Sequence, residues 1–300
     1  EWVKSNTPKE AVFVHWWDFG YLVQTGFERA TVTDGGNAIG PWNYFVGRHV
    51  LTAQNEQEPL QFLKTHDVSY MLIVADEIGK YPAFSSIGSD ANYDRYSWIG
   101  TYTLDPNIQE TRDKKILLYR GGVSLDEDFV YNGQVFPRQS AGIAGFLLPV
   151  STADNQTSIS QPTAVMVYNG QQYNVPLECV FLDKKEITFE QKGLAGCLRI
   201  IPSIDDQNRV NPNGAALYLP PRIRRTLFAH LYLYGLDSDI YKLVYNDQDK
   251  GAPLVLWRGR LIGPLKIWAI NYPSGIEKDP KFLATSYSDP SVTYVQSGYY

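Results

Sequence analysis

Three hundred residues with 44% hydrophobic and 20% charged side chains suffice for one large folded domain or two modest ones with a sizeable buried core. A formal net charge of −5, with no basic run, lacks the clustered cations that phosphate backbones and anionic lipid surfaces attract, so no nucleic acid is expected as a partner. The longest apolar run, 141–150, is far short of the roughly 20 residues of a membrane-spanning helix. The chain also begins at Glu1 without Met and without a signal peptide, which reads as a soluble piece excised from something longer.

Along the chain, 11–15 is a short apolar run rich in β-formers, with a helical stretch expected after Asp18. Residues 30–33 read as a strand ending in the turn signal Asp34-Gly35-Gly36-Asn37. The spacing of Trp42, Phe45, Val46, His49 and Val50 predicts a helix over about 41–51. A further helix begins near Glu58, and 69–75 reads as a buried strand. This β-α-β-α rhythm predicts a layered α/β core.

From 129 the texture changes. Short β-rich stretches (164–168, 179–182, 197–201 and 215–219) alternate with Asn-Gly, Pro and Asp-rich turns, the pattern of a β-domain built from hairpins. Pro220-Pro221 then opens an expected amphipathic helix with Ile223, Leu227 and Leu231 on one face. Strands at 254–257 and 265–270 follow, and then a Pro-, Tyr- and Ser-rich tail. The expected fold is mixed α+β. A central core (1–128, returning at 221–272) carries an inserted β-rich, hairpin or barrel-like domain (129–220), with 273–300 as a peripheral tail. Cys179 and Cys197, eighteen positions apart, are either a hairpin-bridging disulfide or two buried thiols.

The sharpest local feature is His15-Trp16-Trp17-Asp18-Phe19-Gly20. On a regular strand Trp16 and Asp18 would face one way and Trp17 the other. For all three to meet one ligand the chain must turn a corner, which Gly20 makes reasonable. A hydroxyl donates one proton and accepts on two lone pairs; one carboxylate and two indole N–H groups satisfy it completely. A ligand lacking the hydroxyl would leave those groups unpaired, which is how such sites reject it. The plainer alternative is that the paired Trp pack a core and the Asp caps a helix.

Wider matches surround this motif. The run Glu1-Trp2-Val3-Lys4 through Asn6-Thr7-Pro8, then Ala11 to Tyr21, resembles the catalytic subunit of the oligosaccharyltransferase family, which carries a Trp-Trp-Asp-x-Gly signature after a strand. Arg29-Ala30-Thr31-Val32-Thr33-Asp34-Gly35-Gly36-Asn37, then Gly47-Arg48 and the strand 68–74, are similar to its archaeal, AglB-type branch. The resemblance is dense over 1–90, thin through the β region, and returns weakly at 222–245 and 265–270.

It implies that this chain is the C-terminal soluble domain that recognises the acceptor sequon Asn-x-Ser/Thr, with Trp16, Trp17 and Asp18 holding the Ser or Thr hydroxyl. A second family element, Asp-x-x-Lys with Met or Ile four residues on, corresponds to Asp76-Glu77-Ile78-Gly79-Lys80. It puts Lys80 in the lysine place, Glu77 in the acidic place by strict spacing, and Phe84 where Met or Ile is usual, with Ile87 a further apolar contact. Pro82 is expected to interrupt the helix there, and the plainer alternative for Glu77 and Lys80 is a solvated i,i+3 pair worth a few tenths of a kcal/mol. A Thr methyl on such a wall would favour Thr over Ser by about 1 kcal/mol at most.

The resemblance further implies a glycosyltransferase, transferring a lipid-linked oligosaccharide to Asn at the extracytoplasmic face of the membrane. Its divalent metal (Mn or Mg) would sit on carboxylates of an N-terminal multispanning part. No catalytic residue and no metal are expected in this chain, which is predicted inactive as a transferase on its own. His15, His49, His66 and His230 are scattered without metal or triad spacing, and no Gly-rich phosphate loop occurs. Asn155-Gln156-Thr157 is itself a sequon in a polar stretch. The 21 Tyr and 7 Trp leave open a carbohydrate-binding module, or a surface-layer β-protein, that uses exposed aromatics.

Overall fold

The apolar runs at 12–14 and 68–73 become neighbouring parallel strands, Val12–Val14 beside Val68–Ile73, in the computed structural model of the chain. The structure describes residues 1–107, 109–110, 114–153, 156–247 and 253–288. It divides into two compact units, residues 1–97, 225–253 and 263–300 in one, and 98–224 with 254–262 in the other.

The first unit is built on a five-stranded mixed sheet in the order Tyr241–Asn246, Lys266–Ile270, Val68–Ile73, Val12–Val14, Ala30–Thr31. The two short parallel pairings are those at Val12–Val14, and Lys266–Ile270 runs antiparallel to both of its neighbours. Phe13, Val23, Leu72 and Ile267 form its buried centre, with Phe13 stacked on Tyr70 at 5.1 Å between ring centres. Around the sheet lie the helices Trp2–Asn6, Gly40–Val46 continuing as a wider-wound turn Gly47–Leu51, Leu60–Thr65 and Asp76–Ile87. Arg29, buried, satisfies the open end of the first helix: its guanidinium donates to the carbonyls of Lys4 (3.1 Å) and Thr7 (2.9 Å).

The second unit is a closed barrel. Gly100–Leu104, Lys114–Ser124, Gly142–Ala153, Thr163–Tyr168, Gln171–Leu182, Leu194–Ile204 and Val210–Leu219 pair in a ring. Every pairing is antiparallel except the seam, where Gln171–Leu182 lies parallel to Leu194–Ile204. Tyr102, Tyr119, Phe146, Met166, Leu177 and Leu198 are among the side chains that fill the interior. The Asn-Gly signals do what their chemistry dictates: Asn132-Gly133 and Asn169-Gly170 take positive φ at both positions and close two-residue hairpins.

The mixed α+β class with a barrel-like β part is therefore the observed one. The β unit takes in strands ahead of the expected start at 129, among them Gly100–Leu104 and Lys114–Ser124, because Tyr102 and Tyr119 point into its core. It also takes in 254–262, expected in the returning core, where Val255–Trp257 pairs with Leu194–Ile204. The helix expected to run from Pro221 through Leu231 is two pieces, Pro221–Arg224 and a wider-wound turn Ala229–Tyr234. Ile223, Leu227 and Leu231 are all buried, but the chain passes from one unit to the other at Arg225, and the Thr226 hydroxyl accepts the Ala229 N–H at 3.2 Å to start the second piece. Cys179 and Cys197 form a disulfide across the parallel seam. Asn155, and 289–300 of the tail, lie outside the described residues.

Candidate functional site

The corner that the Trp-Trp-Asp chemistry requires is present. After Val14 the chain stays extended through Trp16 (φ −68°, ψ 143°) and then winds into one 3-10 turn, Trp17–Phe19. Gly20 is needed for that turn to seat: a Cβ there would stand 2.4 Å from the Cα of Asp34 and 2.8 Å from the Thr33 carbonyl oxygen. The motif therefore ends by pressing its backbone on the Asp34 turn. Within that turn the Asp34 carboxylate accepts the Gly36 N–H and the Gln24 amide, both at 2.8 Å.

The three motif side chains do not share one exposure. Trp16 is only 2% exposed, packed against Phe84 at 5.7 Å and Trp17 at 6.3 Å between ring centres. Trp17 and Asp18 are half-buried and form the part of the corner that faces solvent. The Asp18 carboxylate is paired with the Lys80 ammonium, which also sits 4.9 Å from the centre of the Phe19 ring. With side chains 20% and 35% exposed, this pair lies at the surface, close enough to solvent for a ligand to reach it.

Lys80, Phe84 and Ile87 come from the helix Asp76–Ile87, which runs unbroken through Pro82. Pro82 removes one helical hydrogen bond and crowds the turn before it. The burial of Ile78, Tyr81 and Phe84 holds the helix regardless. Phe84 is fully buried among Trp16, Tyr81 and Phe228 and so backs the corner from inside, with no surface to offer a ligand. Ile87 is half-buried and on the same face as Lys80 by i,i+7 spacing.

Glu77 departs most from expectation. It is wholly buried and makes no solvated pair with Lys80, whose partner is Asp18. Its carboxyl accepts the Val74 N–H at 2.7 Å and the Trp16 N–H at 3.4 Å. Burial pushes its pKa up to about 8, against the opposing pull of the two backbone donors and of Lys80. The signal was in the sequence: Glu77, Tyr81 and Phe84 share one helical stripe, so an inward Phe84 brings Glu77 inward with it. Asp76, one residue earlier, is exposed.

His15 is buried on the other side of Trp16. Its Nδ1 lies 2.7 Å from the Trp16 carbonyl oxygen and its Nε2 2.6 Å from the Thr31 hydroxyl, and burial brings its pKa down to about 4. Gly47 and Arg48 serve the same helix. A Cβ on Gly47 would meet the Phe84 carbonyl oxygen at 2.5 Å, and Arg48 grips Asp94 through two 3.0 Å bonds while donating to the Gly88 carbonyl.

Residues 9–95 match the family model described as the STT3/PglB/AglB core domain. The corner, Glu77 and the whole helix Asp76–Ile87 fall inside the matched stretch, and the barrel unit falls outside it. Among curated proteins the chain is similar to subunit STT3 of dolichyl-diphosphooligosaccharide–protein glycosyltransferase from Saccharomyces cerevisiae, 25% identical over 149 residues, 42% of this chain and 20% of that protein. It is also similar to dolichyl-phosphooligosaccharide-protein glycotransferase of Methanocaldococcus jannaschii, 38% identical over 53 residues, 18% of this chain and 6% of the other. The chain thus spans a fifth or less of the length of these relatives. A solved structure with which it aligns is the C-terminal domain of C. jejuni PglB, at 12% identity and a TM-score of 0.46, covering 90% of this chain and 97% of that one.

Proposed function

We propose that this chain is the acceptor-recognition domain of an oligosaccharyltransferase, holding the Ser or Thr hydroxyl of Asn-x-Ser/Thr while the full-length protein transfers a lipid-linked oligosaccharide to the Asn. The observation that carries this reading is the Asp18–Lys80 pair set at a surface corner beside a half-buried Trp17. Asp18 accepts the hydroxyl proton, and the Trp17 indole and the Lys80 ammonium are donors beside it for the oxygen's lone pairs. This differs from a pocket of two indoles, since Trp16 contributes its burial and its backbone. An Ala in the hydroxyl place would leave Asp18 and its neighbours without that partner, a loss of roughly 1–3 kcal/mol.

Positioning is the contribution this domain makes to catalysis: a sequon held at its third residue brings the Asn amide to a fixed place. Among the described residues no three His, Cys, Asp or Glu side chains stand together as metal ligands. The resemblance, and not that absence, is what would put a divalent Mn or Mg on carboxylates of a membrane part of the full-length protein. No helix among the described residues is long and apolar enough to cross a membrane, and the lipid-linked donor would be met through that other part, at the extracytoplasmic face. The test is a pair of assays. The full-length protein should glycosylate an Asn-x-Thr peptide and not its Asn-x-Ala counterpart, and this chain by itself should give no transfer; turnover by the isolated chain, or equal use of both peptides, would falsify the proposal.

A further inference from the structure

Trp16 is gripped by its backbone from both sides. Its N–H points at the Glu77 carboxyl (3.4 Å), which also takes the Val74 N–H (2.7 Å) and so ties the corner to the end of the strand Val68–Ile73. Its carbonyl oxygen lies 2.7 Å from Nδ1 of His15. A carbonyl only accepts, so Nδ1 must carry a proton. Nε2, 2.6 Å from the Thr31 hydroxyl, then accepts from it in the neutral ring, the longer contact of that hydroxyl with the Thr33 carbonyl oxygen (3.0 Å) sharing the same proton. The Thr33 hydroxyl donates to the His15 carbonyl at 3.2 Å. Both gripping side chains are completely buried, so neither can touch a peptide.

We propose that His15 and Glu77 are positioning residues for the sequon site, fixing the peptide planes on either side of Trp16 so that Trp17 and Asp18 present at the corner in one orientation. The inference rests on the sequon reading above. An extended residue leading into a single 3-10 turn makes few hydrogen bonds of its own. Without the clamp, the direction in which Asp18 leaves the turn is left to the Phe19 N–H bond to the Trp16 carbonyl (3.2 Å), the seat of Gly20 on Asp34 and the half-buried pair with Lys80. A carboxyl accepts on both oxygens even when protonated, whereas an amide accepts on one only. Glu77→Gln therefore leaves either the Val74 or the Trp16 N–H facing an NH2 group.

The chain is titrated by NMR with Asn-x-Thr and Asn-x-Ala peptides, as wild type and as the Glu77→Gln, His15→Ala and His15→Asn variants. Preference of the wild type for the Thr peptide tests the sequon reading separately from the clamp. Given that preference, Glu77→Gln and His15→Ala each reduce it about tenfold or more. His15→Asn, whose amide N–H stands near the place of Nδ1, restores it, which a merely structural loss would not do. The nitrogen spectrum shows the His15 ring neutral and protonated at Nδ1. A folded Glu77→Gln variant with undiminished preference overturns the proposal, and so does a His15 ring protonated on Nε2 alone. If the wild type shows no preference, the sequon reading fails, and the His15 tautomer still decides whether the clamp exists.

Discussion

A carboxyl buried without a counter-ion behaves differently from one at the surface, and the two acids of this site illustrate the contrast. Asp18 keeps Lys80 and solvent, whereas Glu77 has only backbone donors and its pKa rises to about 8. A folded-state value above the unfolded 4.5 means that the native chain holds the extra proton. Stability from this group is present below about pH 4.5 and is lost as pH rises towards 8. His15 and His49, both pushed down to about 4 by burial, act in the opposite sense: their contribution is present above 6.5 and is lost as pH falls towards 4. Between pH 6.5 and 8 Glu77 dominates among these three. Denaturant titrations there should show stability falling by up to about 1.4 kcal/mol per pH unit, and Glu77→Gln should flatten that slope; an unchanged slope in the variant would assign it elsewhere. For Asp18→Asn, which loses both the charge paired with Lys80 and one acceptor, the proposed function predicts that transfer to an Asn-x-Thr peptide by the full-length protein falls about tenfold or more. Its melting temperature should hardly move, because an exposed pair contributes no more than about 1 kcal/mol.

The helix Asp76–Ile87 is the element on which the site depends, and it is built against its own propensity. Pro82 stands in its interior and Gly79 beside it, yet Ile78, Tyr81 and Phe84 bury one face and hold the rest in place. Packing of this kind overrides a local penalty of about 3 kcal/mol. Replacing Pro82 by Ala should therefore raise thermal stability, by about 1–3 kcal/mol once the looser unfolded chain is allowed for, and calorimetry reads the shift. The glycines are the converse case. Gly20 meets the Asp34 backbone and Gly47 meets the Phe84 carbonyl at distances that no Cβ could tolerate. Gly20→Ala should cost on the order of 2 kcal/mol or more, by the strain measured for overpacked interiors; a variant as stable as the parent would show that the motif does not press on Asp34 as described.

Across the whole molecule, two units of unlike construction share one chain: a mixed sheet with helices, and a seven-stranded barrel closed by a single parallel seam. Parallel pairing at the seam joins strands whose ends need a crossover, and the Cys179–Cys197 disulfide fixes that pairing covalently. A bridge closing a loop of this length contributes roughly 3 kcal/mol through the unfolded chain. Mass spectrometry without reductant should find no alkylatable thiol, and reduction should lower the melting temperature of the barrel unit; two free thiols in the native chain would contradict the seam. A buried disulfide also suits the oxidising extracytoplasmic setting in which the proposed function would operate.

Local chemistry was enough for much of this. The Asn-Gly hairpins, the strands at 12–14 and 68–73, and the corner at Gly20 could be read from residue types and spacing, because turn geometry and side-chain periodicity are properties of neighbours in the chain. The place of Lys80 beside the motif, by contrast, was implied only by the family resemblance. What only the folded structure decided is which side of each element faces inward. Burial sent Trp16, Phe84 and Glu77 to the interior, left Trp17, Asp18 and Ile87 outside, carried the helix through Pro82, and joined Cys179 to Cys197. Burial is set by contacts between segments far apart in sequence, and those contacts outweigh the propensities of any one segment.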